Sequence, residues 1–215
     1  MSAGPRVPLA TAVIIAESIV EELRPYCERI IVAGSIRRRA ETIGDVELVV
    51  IPRYRQQVLT LFELGQAVPP VDCLDERLND LLHYSELHKR RDAKGQTFWG
   101  PSDKRALWRY GAASDAWIAL DIFGATATTW GAKLALRTGP WTLSKMLVTH
   151  RHAGGLLAPD LEFRDGGLYR YAPDHSRVFV ETPDEQTLFH ALGLPYAPPE
   201  RRSVQRYSDT LMRSY

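Results

Sequence analysis

The sequence predicts an α+β protein, and three observations carry that expectation. Over the first two thirds of the chain, stretches with apolar residues at three- and four-residue spacing alternate with short strand-like apolar runs. After Gly139-Pro140 the pattern changes to helices followed by a hairpin. No internal repeat and no low-complexity tract interrupts either part. The chain has 215 residues, 45% of them hydrophobic and 25% charged, which suits one generous domain or two small ones. We place the boundary at 139/140, giving units 1–139 and 140–215.

The elements follow in order. Leu9, Val13, Ala16, Val20 and Leu23 share one helical face, and Pro25 stops that helix. Residues 29–33 form a buried strand broken by Gly34-Ser35. Arg37-Arg38-Arg39 starts a short helix that Gly44 ends. Residues 45–51 form a second strand closed by Pro52, with Asp45, Glu47 and Val49 on one face. Helices are expected at 56–64 and 72–82, either side of Pro69-Pro70. Strands at 104–110 and 116–123 are joined through the segment 111–115. Helices follow at 129–137 and 141–152, the second ended by Gly154-Gly155. Asp165-Gly166-Gly167 marks a hairpin between 161–163 and 168–171. The last helix opens with Thr182 as N-cap, Pro183 in the first turn and Glu185 three residues after the cap, and it stops at Gly193.

Composition excludes several classes of protein. No apolar run reaches the roughly 18–20 residues of a bilayer span, so no membrane partner is expected. The N-terminus lacks the pattern of a secretory leader. With two cysteines, Cys27 and Cys73, a disulfide framework is not expected, and a cytoplasmic location with reduced thiols is. Net charge is +1, but basic residues gather at 29–55 and again at 200–215, which leaves a nucleic-acid partner open.

The informative stretch is 30–49: a strand, a Gly-Ser turn opening a helix, and a strand that starts with two carboxylates two residues apart. Such a turn aims backbone N–H groups at an anion, and Arg37 or Arg38 can add a forked contact to a phosphate. Asp45 and Glu47 side by side are costly unless a cation compensates them, and hard Mg²⁺ with oxygen ligands is the natural one.

Gly34-Ser35-Ile36-Arg37-Arg38 followed by Gly44-Asp45-Val46-Glu47 resembles the Gly-Ser-x-Arg-Arg … Gly-Asp-x-Asp signature of family X DNA polymerases, the polymerase beta type of nucleotidyltransferase. Leu120-Asp121-Ile122-Phe123 is similar to the strand carrying that family's third carboxylate, and 130–140 resembles the segment ending in its Thr-Gly-Ser sugar turn. Residues 182–202 resemble its C-terminal closing segment. The resemblance implies a palm with a mixed sheet and flanking helices, followed by a small C-terminal α+β subdomain. It implies Mg²⁺-dependent transfer of a nucleotide from a dNTP to a DNA 3′-hydroxyl, directed by a template and suited to short gaps. A nucleotidyltransferase acting on RNA or a small molecule, and a nucleic-acid-binding module with a decayed site, are the alternatives.

By this resemblance Asp45, Glu47 and Asp121 hold two Mg²⁺ ions, with Mn²⁺ as a possible substitute, and Asp121 accepts the hydroxyl proton. Gly34, Ser35, Arg38 and Gly44 bind the triphosphate, whereas Arg37 and Arg39 are solvated or packed outward. Thr138 and Gly139 lie against the sugar. Trp141 stacks on the incoming base or packs into the hinge between subdomains. Arg201, Arg202 and Arg206 contact primer-template or gapped DNA, Lys104 and Arg105 either join them or form a solvated face, and a monomer is expected. Lys89-Arg90-Arg91 is either a further phosphate contact or a solvated face. Three departures stand out: Glu47 for Asp, Pro140 for Ser, and Leu136-Arg137 for a bulky pair before Thr-Gly. They imply an altered rate or metal preference and weaker exclusion of a 2′-hydroxyl. One helix precedes the first strand, so lyase and helix–hairpin–helix domains, and with them lyase activity and high processivity, are not expected.

Overall fold

The computed structural model describes residues 6–57, 68–111 and 116–207. Helix α1 (Leu9–Leu23) leads into strand β1 (Cys27–Val32), the one-turn helix α2 (Gly34–Arg37) and strand β2 (Asp45–Pro52). Helix α3 (Cys73–His83), capped by the Asp72 carboxylate accepting from the Asp75 N–H at 3.0 Å, precedes β3 (Leu87–Lys89), β4 (Asp103–Arg109) and β5 (Trp117–Gly124). These five strands form one sheet in the order β1-β2-β5-β4-β3, parallel only between β2 and β5. The helix expected at 56–64 falls almost wholly outside the described residues, as does most of the 111–115 connection.

Strand alternation gives the sheet two different faces. Val46, Leu48 and Val50 of β2, with Ile118, Leu120 and Ile122 of β5, pack beneath α1 and α3. Asp45, Glu47 and Val49, with Asp121 and Phe123, belong to the opposite face. There Val49 and Phe123 are covered by Trp130 and Leu134 of helix α4 (Trp130–Thr138). The carboxylates occupy the uncovered end of that same face.

Helix α4 also turns Ala132 and Ala135 into a second core. That core gathers helix α5 (Trp141–Leu147), hairpin strands β6 (Leu161–Arg164) and β7 (Gly167–Tyr171), and helix α6 (Glu185–Ala191). Asp165 and Gly166, both at positive φ, make the two-residue turn. Strand β8 (Arg177–Val180), which the sequence reading passed over, adds to β7.

Three expectations are corrected. Helix α2 runs one turn earlier than the arginine run; Arg38 closes it, and Arg39 sits at φ +58°. Helix α5 ends at Leu147 rather than 152, because the chain turns and His150 bridges to Leu157. The cap of α6 is Asp184, whose carboxylate accepts from Thr187 N–H at 2.7 Å, not Thr182. Thr182 is buried instead, its carbonyl accepting from Gly131 N–H at 2.6 Å. A Cβ at Gly131 would collide with the Asp184 backbone, so this close approach requires glycine.

Candidate active site

The register pairs Glu47 directly with Asp121 on the adjacent parallel strand, and Asp45 lies two residues before Glu47 on the same face. The 76-residue separation of Asp45 and Asp121 in sequence is thus closed by one strand pairing. Burial, and then repulsion from Asp45 and Asp121, pushes the Glu47 carboxyl up to about 7, against the pull of Arg38 and Arg137. Burial likewise raises the Asp121 carboxyl, opposed chiefly by Arg90. Arg90 donates to Asp121 Oδ1 at 2.6 Å, and Arg105 Nε lies 3.9 Å from Oδ2.

Asp45, Glu47 and Asp121 have the hard oxygen chemistry that a divalent cation takes. The donor set fits: three hard oxygen ligands, under-compensated enough that one is held toward its neutral form. The assembled cluster is another matter. Among the described residues no group of three His, Cys, Asp or Glu side chains stands ready to hold a metal, and Asp121 is engaged by Arg90.

Helix α2 lines the Glu47 edge. Gly34 has φ +61°, and a Cβ there would strike the Glu47 carboxylate, so glycine is required on both counts. Ser35 Oγ is buried with no hydrogen-bond partner among the described residues, a hydroxyl available to an anionic ligand. Arg38 donates to the Thr138 carbonyl, and burial lowers its pKa while Glu47 and Asp45 oppose that effect. Arg38 Nη1 would lie 3.0 Å from a Cβ added at Gly139, which itself sits at φ +74°. Arg38, Thr138 and Gly139 are therefore neighbours, with Ser35 one turn before Arg38. Gly44, just before Asp45, has Arg6 as its nearest neighbour on the side a Cβ would occupy. Trp141 begins α5 with 73% of its surface exposed, so in this structure it is not packed between the two cores.

Arg37 is not turned outward. It donates to Thr138 Oγ1 at 2.7 Å and, through both terminal nitrogens, to Glu185 at 2.7 and 2.8 Å. Glu185 also accepts from Arg202 at 2.7 Å. Burial alone would raise the Glu185 carboxyl, but hydrogen bonds from Arg37 and Arg202 outweigh it and hold it below the ordinary range. Two expected DNA contacts are corrected here. The Arg202 guanidinium is fully buried, spent on Glu185 and the Ala197 carbonyl. Lys104 is 3% exposed, its ammonium on Asp75 at 2.7 Å and the Pro101 carbonyl at 3.1 Å. Arg105, Arg201 and Arg206 remain at the surface.

Sequence reading missed Arg90, Glu185 and the inward role of Arg37. Arg90 lay within a Lys-Arg-Arg run that gave no reason to single it out, and Glu185 was credited with capping. The charge balance of the Arg-rich segments held the only hint, since buried arginines need carboxylates.

No family model matches the sequence, and no curated protein matches it. Among solved structures, the fold is similar to that of Leishmania infantum polymerase beta in a ternary P/T complex, with a TM-score of 0.66 and 18% identity over 94% of this chain and 78% of that one. The described residues contain no helix long and apolar enough to cross a membrane. The likeness establishes the architecture alone: a mixed sheet flanked by helices, arranged as in that structure.

Proposed function

We propose that this protein transfers a nucleotide from a dNTP to the 3′-hydroxyl of a DNA primer, directed by a template and suited to short gaps. The observation that carries this reading is the pairing of Glu47 with Asp121, with Asp45 alongside and the Gly34–Arg37 helix on the same edge. Structural similarity to a polymerase beta agrees with it.

On this reading the residues divide the work. Ser35, Arg38 and the backbone at Gly34 and Gly44 bind the β- and γ-phosphates, Arg38 as a charge-assisted donor. Thr138-Gly139 lies against the sugar, and exposed Trp141 offers a stacking face to the base. Asp121 accepts the proton of the attacking hydroxyl once Arg90 has released it. Two Mg²⁺ ions, held by Asp45, Glu47 and Asp121, would stabilise charge on the attacking and leaving oxygens.

A primer-extension assay tests the reading, run with and without template, with dNTPs and NTPs, and with Mg²⁺ or Mn²⁺. Template-dependent addition of dNTPs is expected from the wild type, and its loss in Asp45→Ala and Asp121→Ala proteins with wild-type folding. Asp121→Ala extending primers as the wild type does would falsify the assignment. Template-independent addition, or addition to RNA alone, would replace the substrate class.

A further inference from the structure

The two edges of the five-stranded sheet are guarded differently. Strand β3 ends one of them with three residues, two of them the exposed His88 and Lys89. A short strand carrying lysine is one of the usual devices that keep an edge from pairing with another chain. Strand β1, at the other edge, is six residues long and holds neither lysine nor proline. Its charged pair, Glu28 and Arg29, stands at the start beside the bulge, and Arg29 is drawn off the edge to 4.0 Å from the Trp130 ring centre. The last three residues, Ile30, Ile31 and Val32, are partly exposed. Ala33 N–H donates to the Glu47 carbonyl at 2.8 Å, one step beyond the Val32–Leu48 pair, so alternation turns the backbone groups of Arg29, Ile31 and Ala33 toward β2. The N–H and C=O groups of Ile30 and Val32 therefore point outward, and they meet no partner among the described residues. Beside them lies a groove of about 490 Å³, lined on one side by Glu17, Val20, Glu21 and Arg24 of α1 and on the other by the apolar end of β1. Val20, Ile30 and Val32 form its apolar floor. Glu17 and Glu21 on its rim are exposed and unpaired among the described residues, whereas Glu22 is spent on Arg77.

We propose that β1 takes up an extended segment of a partner protein in which basic and apolar side chains alternate, added to the sheet as a sixth strand. The outward groups of Ile30 and Val32 supply its main-chain hydrogen bonds. Charge and face set the alternation. Every second side chain of an added strand enters the groove. There the stem of a lysine or arginine covers Val20, Ile30 and Val32 while its head reaches Glu17 or Glu21. The side chains between lie on the opposite face with Ile31, where an apolar residue extends the cover of Ile31 and a cation would meet Arg29. Arg24, at the Cys27 end of the groove, keeps the basic residues toward Glu17 and Glu21. The site lies on the far side of β2 from Asp121 and does not depend on the nucleotidyl-transfer reading.

The test is fluorescence anisotropy of the full chain with a fluorescein-labelled peptide of alternating lysine and valine, about eight residues long. An isomer with the same composition but its lysines grouped at one end keeps the charge and loses the alternation, and it should bind about tenfold more weakly or worse. Glu17→Lys/Glu21→Lys should raise the Kd of the alternating peptide about tenfold or more at low salt. The charge-matched pair Glu86→Lys/Glu181→Lys, at exposed positions elsewhere, should have little effect, and melting temperatures should stay at the wild-type value in both. Amide hydrogen exchange read by NMR locates the contact. The Ile30 and Val32 amides should exchange freely in the protein alone and about tenfold more slowly or better with the peptide bound. Equal binding of the two isomers, equal losses from the two double substitutions, or Ile30 and Val32 amides that the peptide leaves unchanged would each overturn the proposal. So would a dimer in sedimentation velocity that protects those amides without peptide, which would give the edge to a second copy of this chain.

Discussion

Glu47 is the residue whose chemistry is most sensitive to its surroundings. Its carboxyl lies at about 7 in the folded chain against 4.5 when unperturbed. A group raised in this way contributes its stability in full below the unfolded value and loses it as pH rises through the folded one. Without a divalent cation the protein is therefore expected to lose stability, on the order of 3 kcal/mol from this group, between pH 4.5 and 7. Glu47→Gln should flatten that part of the profile and raise Tm above pH 7, as read by thermal melts in chelator across this range; an unchanged profile would refute the assignment. The neighbouring arginines divide their work. Losing the charge-assisted donor in Arg38→Ala should cost about 1.5–3 kcal/mol, a rise of roughly tenfold to more than a hundredfold in the nucleotide Kd. Arg37→Ala should instead act on stability, because its partners are Thr138 and Glu185 rather than the ligand. Titration of a fluorescent dNTP analogue alongside urea unfolding distinguishes the two.

At the scale of elements, the Arg37–Glu185–Arg202 group fastens three segments: α2, the first turn of α6, and the chain beyond residue 201. Removing one member of a buried ion group leaves uncompensated charge, typically at about 3–5 kcal/mol. Glu185→Ala should lower urea stability by that order, with Glu185→Gln milder because it keeps an acceptor; a surface-like effect below 1 kcal/mol would show that the group contributes little. Elements of this kind mark where sequence reading reaches its limit. Helix α1 was legible in extent because Pro25 bounds it, although its buried face is Ala12, Ile15, Ala16, Ile19 and Leu23 rather than the stripe through Leu9, Val13 and Val20. The hairpin was legible because Asp165-Gly166 forces the turn. The end of α5 was not, since Val148-Thr149 continues an acceptable helical pattern and the stop comes from the bridge between His150 and Leu157. For the carboxylates, local pattern predicted Asp45 and Glu47 on one face, but only the β2–β5 pairing puts Asp121 beside them. The ion pair to Arg90 depends on a third strand and left no local trace.

For the molecule as a whole, the decisive arrangement is that α4 serves two cores. Trp130 and Leu134 seal one face of the sheet while Ala132 and Ala135 enter the C-terminal core. Trp130→Ala should cost about 3–5 kcal/mol, and because α4 joins both cores the loss should appear as one shifted transition rather than two. Differential scanning calorimetry checks this, and a split endotherm would mean that the halves unfold separately. The tryptophans record the same architecture optically. Trp108 and Trp130 are buried and Trp99 and Trp117 partly so, which leaves Trp141, beside the Thr138-Gly139 turn, as the most exposed of the five. The protein thus carries its own reporter: the emission most open to iodide comes from Trp141, and if the proposed function holds, an incoming base stacked there can be followed by the light it hides from the quencher.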